Sequence, residues 1–172
     1  VERAIDIYRS RYIPIGMFEN TPYPGIHALL AALKERGHKL YVATSKPEQY
    51  AKEIMAHFGL DRYVPEIAGA SMDPSRSQKW QVIEYCLREF GINPESTIMV
   101  GDRKHDVEGA ARNGLACVGV SYGFGSRQEL EEAGVFDDLI RISVGIEDIE
   151  DIIEDISIAY TFGLRYGLSY CQ

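Results

Sequence analysis

Apolar residues recur along this chain with two alternating periods. Ile26, Leu29, Leu30 and Leu33 fall at i, i+3, i+4 and i+7, one face of a helix that Gly37 is placed to end. The next run, Lys39 to Ala43, is short and apolar and reads as a buried strand. Helical spacing returns at Ala51, Ile54, Met55 and Phe58, with Pro47 near the start and Gly59 after the end. Glu66 to Ala70 predicts a weaker strand, and Trp80, Ile83, Leu87 and Phe90 a helix closed by Gly91. Ser96 to Gly101 and Leu115 to Ser121 are apolar runs of strand length, separated by a helix around Val107, Ala110 and Ala111. Ser126 and Glu129 have the spacing of a capping box before a short helix. Asp138 to Ile142 predicts a last strand, and Ile146, Ile149, Ile153 and Ile156 line a final helix.

Strands alternating with helices of this length imply βαβ units, hence a parallel sheet covered on both faces. The expected class is α/β, a three-layer Rossmann-like arrangement over residues 22–158. Residues 1–21 stand outside it, with a helical stretch (Ala4, Ile5, Tyr8, Tyr12) and then an irregular run. The tail, 159–172, has no clean period and receives no assignment. Ligands of such sheets bind beyond the carboxyl ends of the strands, so polar residues just after each strand are the candidates for chemistry.

Composition narrows the function. With 172 residues, 45% of them apolar, the chain can bury one core, and its formal charge of −8 argues against a nucleic-acid partner. No apolar stretch approaches membrane-spanning length. Cys86, Cys117 and Cys171 are widely spaced and odd in number, which suits free thiols and a cytoplasmic protein. Oligomeric state is not legible.

Three places then carry candidate chemistry. Thr44, Ser45, Lys46 and Pro47 follow the first strand and precede a helix; free backbone N–H groups and the helix dipole make this a ready phosphate site, while the plainer reading is an N-cap. Asp102 leaves a strand in Gly101-Asp102-Arg103-Lys104-His105-Asp106, and Asp106 enters a helix. Two such carboxylates suit Mg²⁺, which takes one or two of them and completes its octahedron with phosphate and water; the plainer reading is a turn residue and a cap. Lys79 opens a helix, where a cation is unfavourable unless an anion answers it. His27, His38, His57 and His105 share no ligand spacing, and His105 reads as a solvated loop residue.

Taken in order, these elements resemble the second, third and fourth motifs of the haloacid-dehalogenase-like hydrolases. The phrases PYPGIHALLAALKERGHKLYVATSKP and MVGDRKHDVEGAARNG are similar to members of the phosphoglycolate phosphatase type, and the resemblance extends over roughly residues 1–155. It implies that residues 1–21 are the remnant of a helical cap. It also implies that an aspartate attacks a phosphate monoester of a small metabolite, with Mg²⁺ as cofactor. Thr44, helped by the Ser45 backbone, would hydrogen-bond a phosphate oxygen. Lys79 would stabilise the nucleophile and the transferring group. Asp102 would coordinate the metal, and Asp106 would belong to the same metal site, orienting its shell through water or Lys79.

The family's first motif, Asp-x-Asp at the end of an apolar strand, is absent from the 172 residues. That strand would lie at the sheet's centre, between Lys39–Ala43 and Ser96–Gly101. Without it, each flanking strand presents an unpaired edge, and each buried unsatisfied backbone group costs roughly 1–3 kcal/mol. Several of them rival a whole domain's stability of about 5–15 kcal/mol. The expectation is therefore that the two strands pair directly, that a strand is borrowed, or that the chain belongs to a longer parent. Two other functional readings stand beside the phosphatase: a non-catalytic binding module that kept the fold, and a related phosphomutase or dehalogenase. A nucleotide-binding dehydrogenase is disfavoured, since no glycine-rich fingerprint follows a strand.

Overall fold

The computed structural model describes residues 2–135; the expected strand at 138–142, the helix at 146–156 and the tail lie outside the described residues. An initial helix is followed by nine helices and strands among the described residues. They are α1 (Glu2–Tyr12), α2 (Ile26–Glu35), β1 (Tyr41–Pro47), α3 (Glu48–His57), β2 (Glu66–Ala70), α4 (Lys79–Glu89), β3 (Ile98–Gly101), α5 (Lys104–Arg112), β4 (Ala116–Gly119) and α6 (Arg127–Glu132). All strand pairing is parallel, β1 with β2 and β3 with β4.

Helices cover both faces. On one side Leu29 and Leu33 of α2 pack on Val118 and Val120, with Ile98 beside them. On the other, Ile83 of α4 and Ala110 of α5 meet Leu115, with Met99 and Cys117 packed against that group. Ile98 and Met99, adjacent in β3, thus face opposite layers, as the two-residue period of a strand demands. These are the three layers that the alternation of elements predicts.

The sheet is split where the resemblance places its missing strand. Among the described residues β1 and β3 do not pair, so direct pairing is not how this chain meets the problem of its edges. Helix α4 bridges the two halves instead: Ala43 of β1 and Met99 of β3 pack on the same Ile83–Ala110–Leu115 cluster. Val100, in the middle of β3, remains 38% exposed, although its position in a central strand calls for burial.

Two expectations of detail are corrected. Strand β1 begins at Tyr41 rather than Lys39 and runs on to Pro47, with a register shift between Ala43 and Pro47 that lifts Thr44, Ser45 and Lys46 out of the ladder. Gly69 of β2 permits the crossing, since a Cβ there would lie 2.4 Å from the Glu48 Cα. The buried face of α4 is Val82, Ile83 and Cys86, not the stripe through Trp80 and Leu87. Lys79 shares that inward face at four- and seven-residue spacing, which explains why a lysine is buried. Burial, together with the charge of Glu66, pushes the Cys86 thiol up to about 11, the behaviour of an inert core thiol.

Helix α1 forms as its spacing predicts, but Ile5, Ile7 and Tyr8 are exposed. It joins the core through Tyr12 against Tyr50, and through Phe18 in the following 3₁₀ turn, whose ring lies 4.5 Å from that of His57.

Candidate functional site

Lys79 ties β1 to the end of β3. Its ammonium donates to the Ala43 carbonyl at 2.7 Å, immediately before Thr44, and pairs with Asp106 Oδ1 at 2.7 Å. Asp106 Oδ2 in turn accepts the backbone N–H groups of Asp102 and Arg103, both at 3.1 Å. A continuous chain of bonds therefore runs from Ala43 of β1 through the start of α4 to the residues just after β3. The cation at the start of α4 has the anionic partner that its unfavourable position asks for. Both side chains are withdrawn from solvent, at 12% and 9% exposure, so their attraction is little screened.

Gly101 lets Asp106 fold back over the strand end, for a Cβ at that position would lie 2.3 Å from the Cβ of Asp106. Both Asp106 oxygens are engaged, Oδ1 by Lys79 and Oδ2 by two backbone N–H groups. Its capping role is real as well: it closes the N-terminus of α5. Asp102 is placed differently. It is half-buried, and its Oδ2 accepts the Phe124 N–H at 2.7 Å. Its other oxygen has no bond among the described residues, so it is the carboxylate able to ligate a cation. No cluster of three or more acidic, histidine or cysteine side chains occurs among the described residues. One direct carboxylate, with water and phosphate completing the shell, fits Mg²⁺.

At the tip of β1 the Thr44 hydroxyl accepts the Lys46 N–H at 3.3 Å, which leaves its own proton to donate, and Ser45 is exposed beside it. The loop is anchored from below. Arg76 donates to the Gly69 carbonyl at 2.8 Å and to Glu48 at 2.9 Å, and lies 3.6 Å over the Tyr85 ring. Burial opposes ionisation of Glu48, but hydrogen bonds from Lys52 and the Gly69 N–H and the charges of Lys52 and Arg76 outweigh it and hold the carboxyl below its usual range.

Thr44, Ser45, Lys79, Asp102 and Asp106 thus lie at one end of the sheet. The histidines do not join them. His105 sits on the exposed side of α5, 3.6 Å from Glu108, in a helix rather than a loop. The capping box at Ser126 is half formed: Ser126 accepts the Glu129 N–H, but the Glu129 carboxylate turns away to Arg103 at 2.8 Å and to the Lys104 N–H at 3.0 Å. An available guanidinium outbids the backbone of its own helix. Missed from sequence were Arg76 and the Gly123-Phe124-Gly125 turn on Asp102. Only the turn had a legible signal, two glycines just beyond the apolar run of β4.

Comparison with known proteins gives the chain's relatives. A family model described as haloacid dehalogenase-like hydrolase matches residues 1–120. A second, Cys/Met metabolism PLP-dependent enzyme, matches 119–161, a stretch without the lysine such enzymes need to bind their cofactor. A 5'-nucleotidase of Pseudomonas aeruginosa is 49% identical over 127 residues, 74% of this chain and 58% of that protein. The tyrosine-protein kinase PtkA of Mycobacterium tuberculosis is 45% identical over 72% of this chain and 43% of its own length. A phosphoglycolate phosphatase of Haemophilus influenzae is 32% identical over 70% of this chain and 55% of its own. The crystal structure of a predicted phosphatase from Clostridium acetobutylicum superposes with a TM-score of 0.80 at 44% identity, covering 90% of this chain and 68% of that one. The chain thus spans about half the length of the curated relatives it matches.

Proposed function

The chain belongs to the haloacid dehalogenase-like hydrolase family, and from that premise we propose that the intact protein is a Mg²⁺-dependent phosphatase of small phosphorylated metabolites. The observation that carries this reading is the run of bonds from the Ala43 carbonyl through Lys79 and Asp106 to the Asp102 backbone. The network brings the Lys79 ammonium to the carbonyl just before Thr44 and ties it through Asp106 to the backbone of Asp102, which supports a shared site for a phosphate and its metal.

In this reading Thr44 donates its hydroxyl to a phosphate oxygen, and backbone N–H groups around Ser45 supply further donors. Lys79 neutralises charge on the transferring phosphoryl group while Asp106 keeps its ammonium in place. Asp102 ligates Mg²⁺ through its free oxygen, and the ion, when bound, screens the repulsion between phosphate and an attacking carboxylate. The nucleophile would come from an Asp-x-Asp strand outside these 172 residues, seated between β1 and β3. Residues 1–21 would be the end of a cap, and 22–158 the core. Free thiols and an acidic surface suit the cytoplasm.

The test is phosphate release by the intact protein. It should require Mg²⁺ and fall by about 10²–10³ or more in Asp102→Ala, the scale on which a group that stabilises transition-state charge acts. Unchanged release in that variant refutes the assignment. A second reading is a binding module that kept the fold without the chemistry. It predicts that no added strand yields Mg²⁺-dependent release.

A further inference from the structure

Resting on the phosphatase reading, we propose that Phe124 is a specificity-determining residue, whose ring stacks against an aromatic leaving group, such as a nucleoside, of the phosphate monoester. The turn after β4 is wrapped around Asp102. The Phe124 N–H donates to Asp102 Oδ2 at 2.7 Å. On either side the backbone presses so close that no side chain fits: a Cβ on Gly123 would lie 2.3 Å from Asp102 Oδ2, and one on Gly125 would lie 1.8 Å from the Asp102 carbonyl oxygen.

Between two residues that must be glycine stands a large apolar side chain, 89% exposed, the most exposed among the large hydrophobic residues described. Its backbone is fixed by the carboxylate proposed to hold the metal, while its ring stands exposed among the described residues. A residue that served only the turn would be small or polar, as turn chemistry favours. Tyr122, two residues earlier, meets Tyr23 edge-on at 5.4 Å, and Tyr23 is itself 51% exposed.

An ester whose phosphate is held beside Asp102 carries its organic half close to this turn. A phenyl ring offers that half a π face and no hydrogen bond, so it rewards a flat apolar group and gives nothing to a short hydroxy acid.

The experiment compares kcat/KM of the intact protein for a nucleoside monophosphate and for glycerol phosphate. Phe124→Ala should lower the first by roughly five- to a hundredfold, the range of base–aromatic stacking, and leave the second unchanged. Phe124→Trp should restore the first. Equal losses on both substrates, as expected if the ring only packs against the protein's own cap, overturn the proposal, and so does no loss on either. Asp102→Asn, run alongside, must abolish release from both. Release that survives it brings down the phosphatase reading and this proposal together.

Discussion

Replacing Lys79 by methionine should cost the protein both turnover and stability, and the second loss should be recoverable without the first. The ammonium is the link between the β1 tip and Asp106, and both partners are nearly out of solvent. Removing one member of a buried ion pair leaves the other uncompensated, which costs about 3–5 kcal/mol. The low end of that range is expected, since Asp106 keeps two backbone N–H donors. Adding Asp106→Asn removes the orphaned charge, so the double variant should be more stable than Lys79→Met alone in urea denaturation. Turnover of the intact protein should stay down by about 10²–10³ in both, because the lost cation acts on the developing charge of the phosphoryl group. Recovery of activity along with stability would show that Lys79 is only structural.

The larger effect concerns the split sheet. The 172 residues alone should release phosphate at close to background. Joining them to a segment whose strand ends in Asp-x-Asp should raise turnover by about 10⁶, the scale of losing a nucleophile in another covalent enzyme. The same addition should raise thermal stability, because the edges of β1 and β3 would gain partners and Val100 would be covered. Activity gained without a rise in stability would place the added strand elsewhere. A rise in stability without activity would support the binding-module reading.

Much of this architecture is legible in the amino-acid order. Alternating periods locate the described strands and helices of the core up to β4, because each element must bury one face against a neighbouring layer, and a capping signature locates α6. Its finer placement is not legible. That β1 continues through Thr44 depends on where Gly69 lets two backbones cross, a tertiary fact with no local signature. The inward face of α4 was misplaced because Trp80 is a large apolar residue at helical spacing, yet it lies at the flank near Arg112 while Lys79 turns inward to an ion pair. Spacing alone ranks tryptophan above lysine for burial, and only the position of Asp106 reverses the order. Spacing alone finds Asp102 and Asp106 together, and only the resemblance assigns them different roles. What separates them is which oxygens the backbone uses, and that is settled by the fold of the Gly101 turn.

The central claim is that the tips of β1, α4, β3 and β4 share one cation-and-phosphate pocket. Titrating Mn²⁺ into the isotope-labelled chain in the presence of phosphate tests it directly, through paramagnetic broadening of amide NMR signals. The amides of Ser45, Lys46, Lys79, Asp102 and Phe124 should broaden together at the lowest metal concentrations, and Asp102→Ala should abolish the effect. Broadening confined to acidic residues elsewhere on the surface, or loss of the Asp102 signal with those of Ser45 and Lys79 untouched, would contradict it.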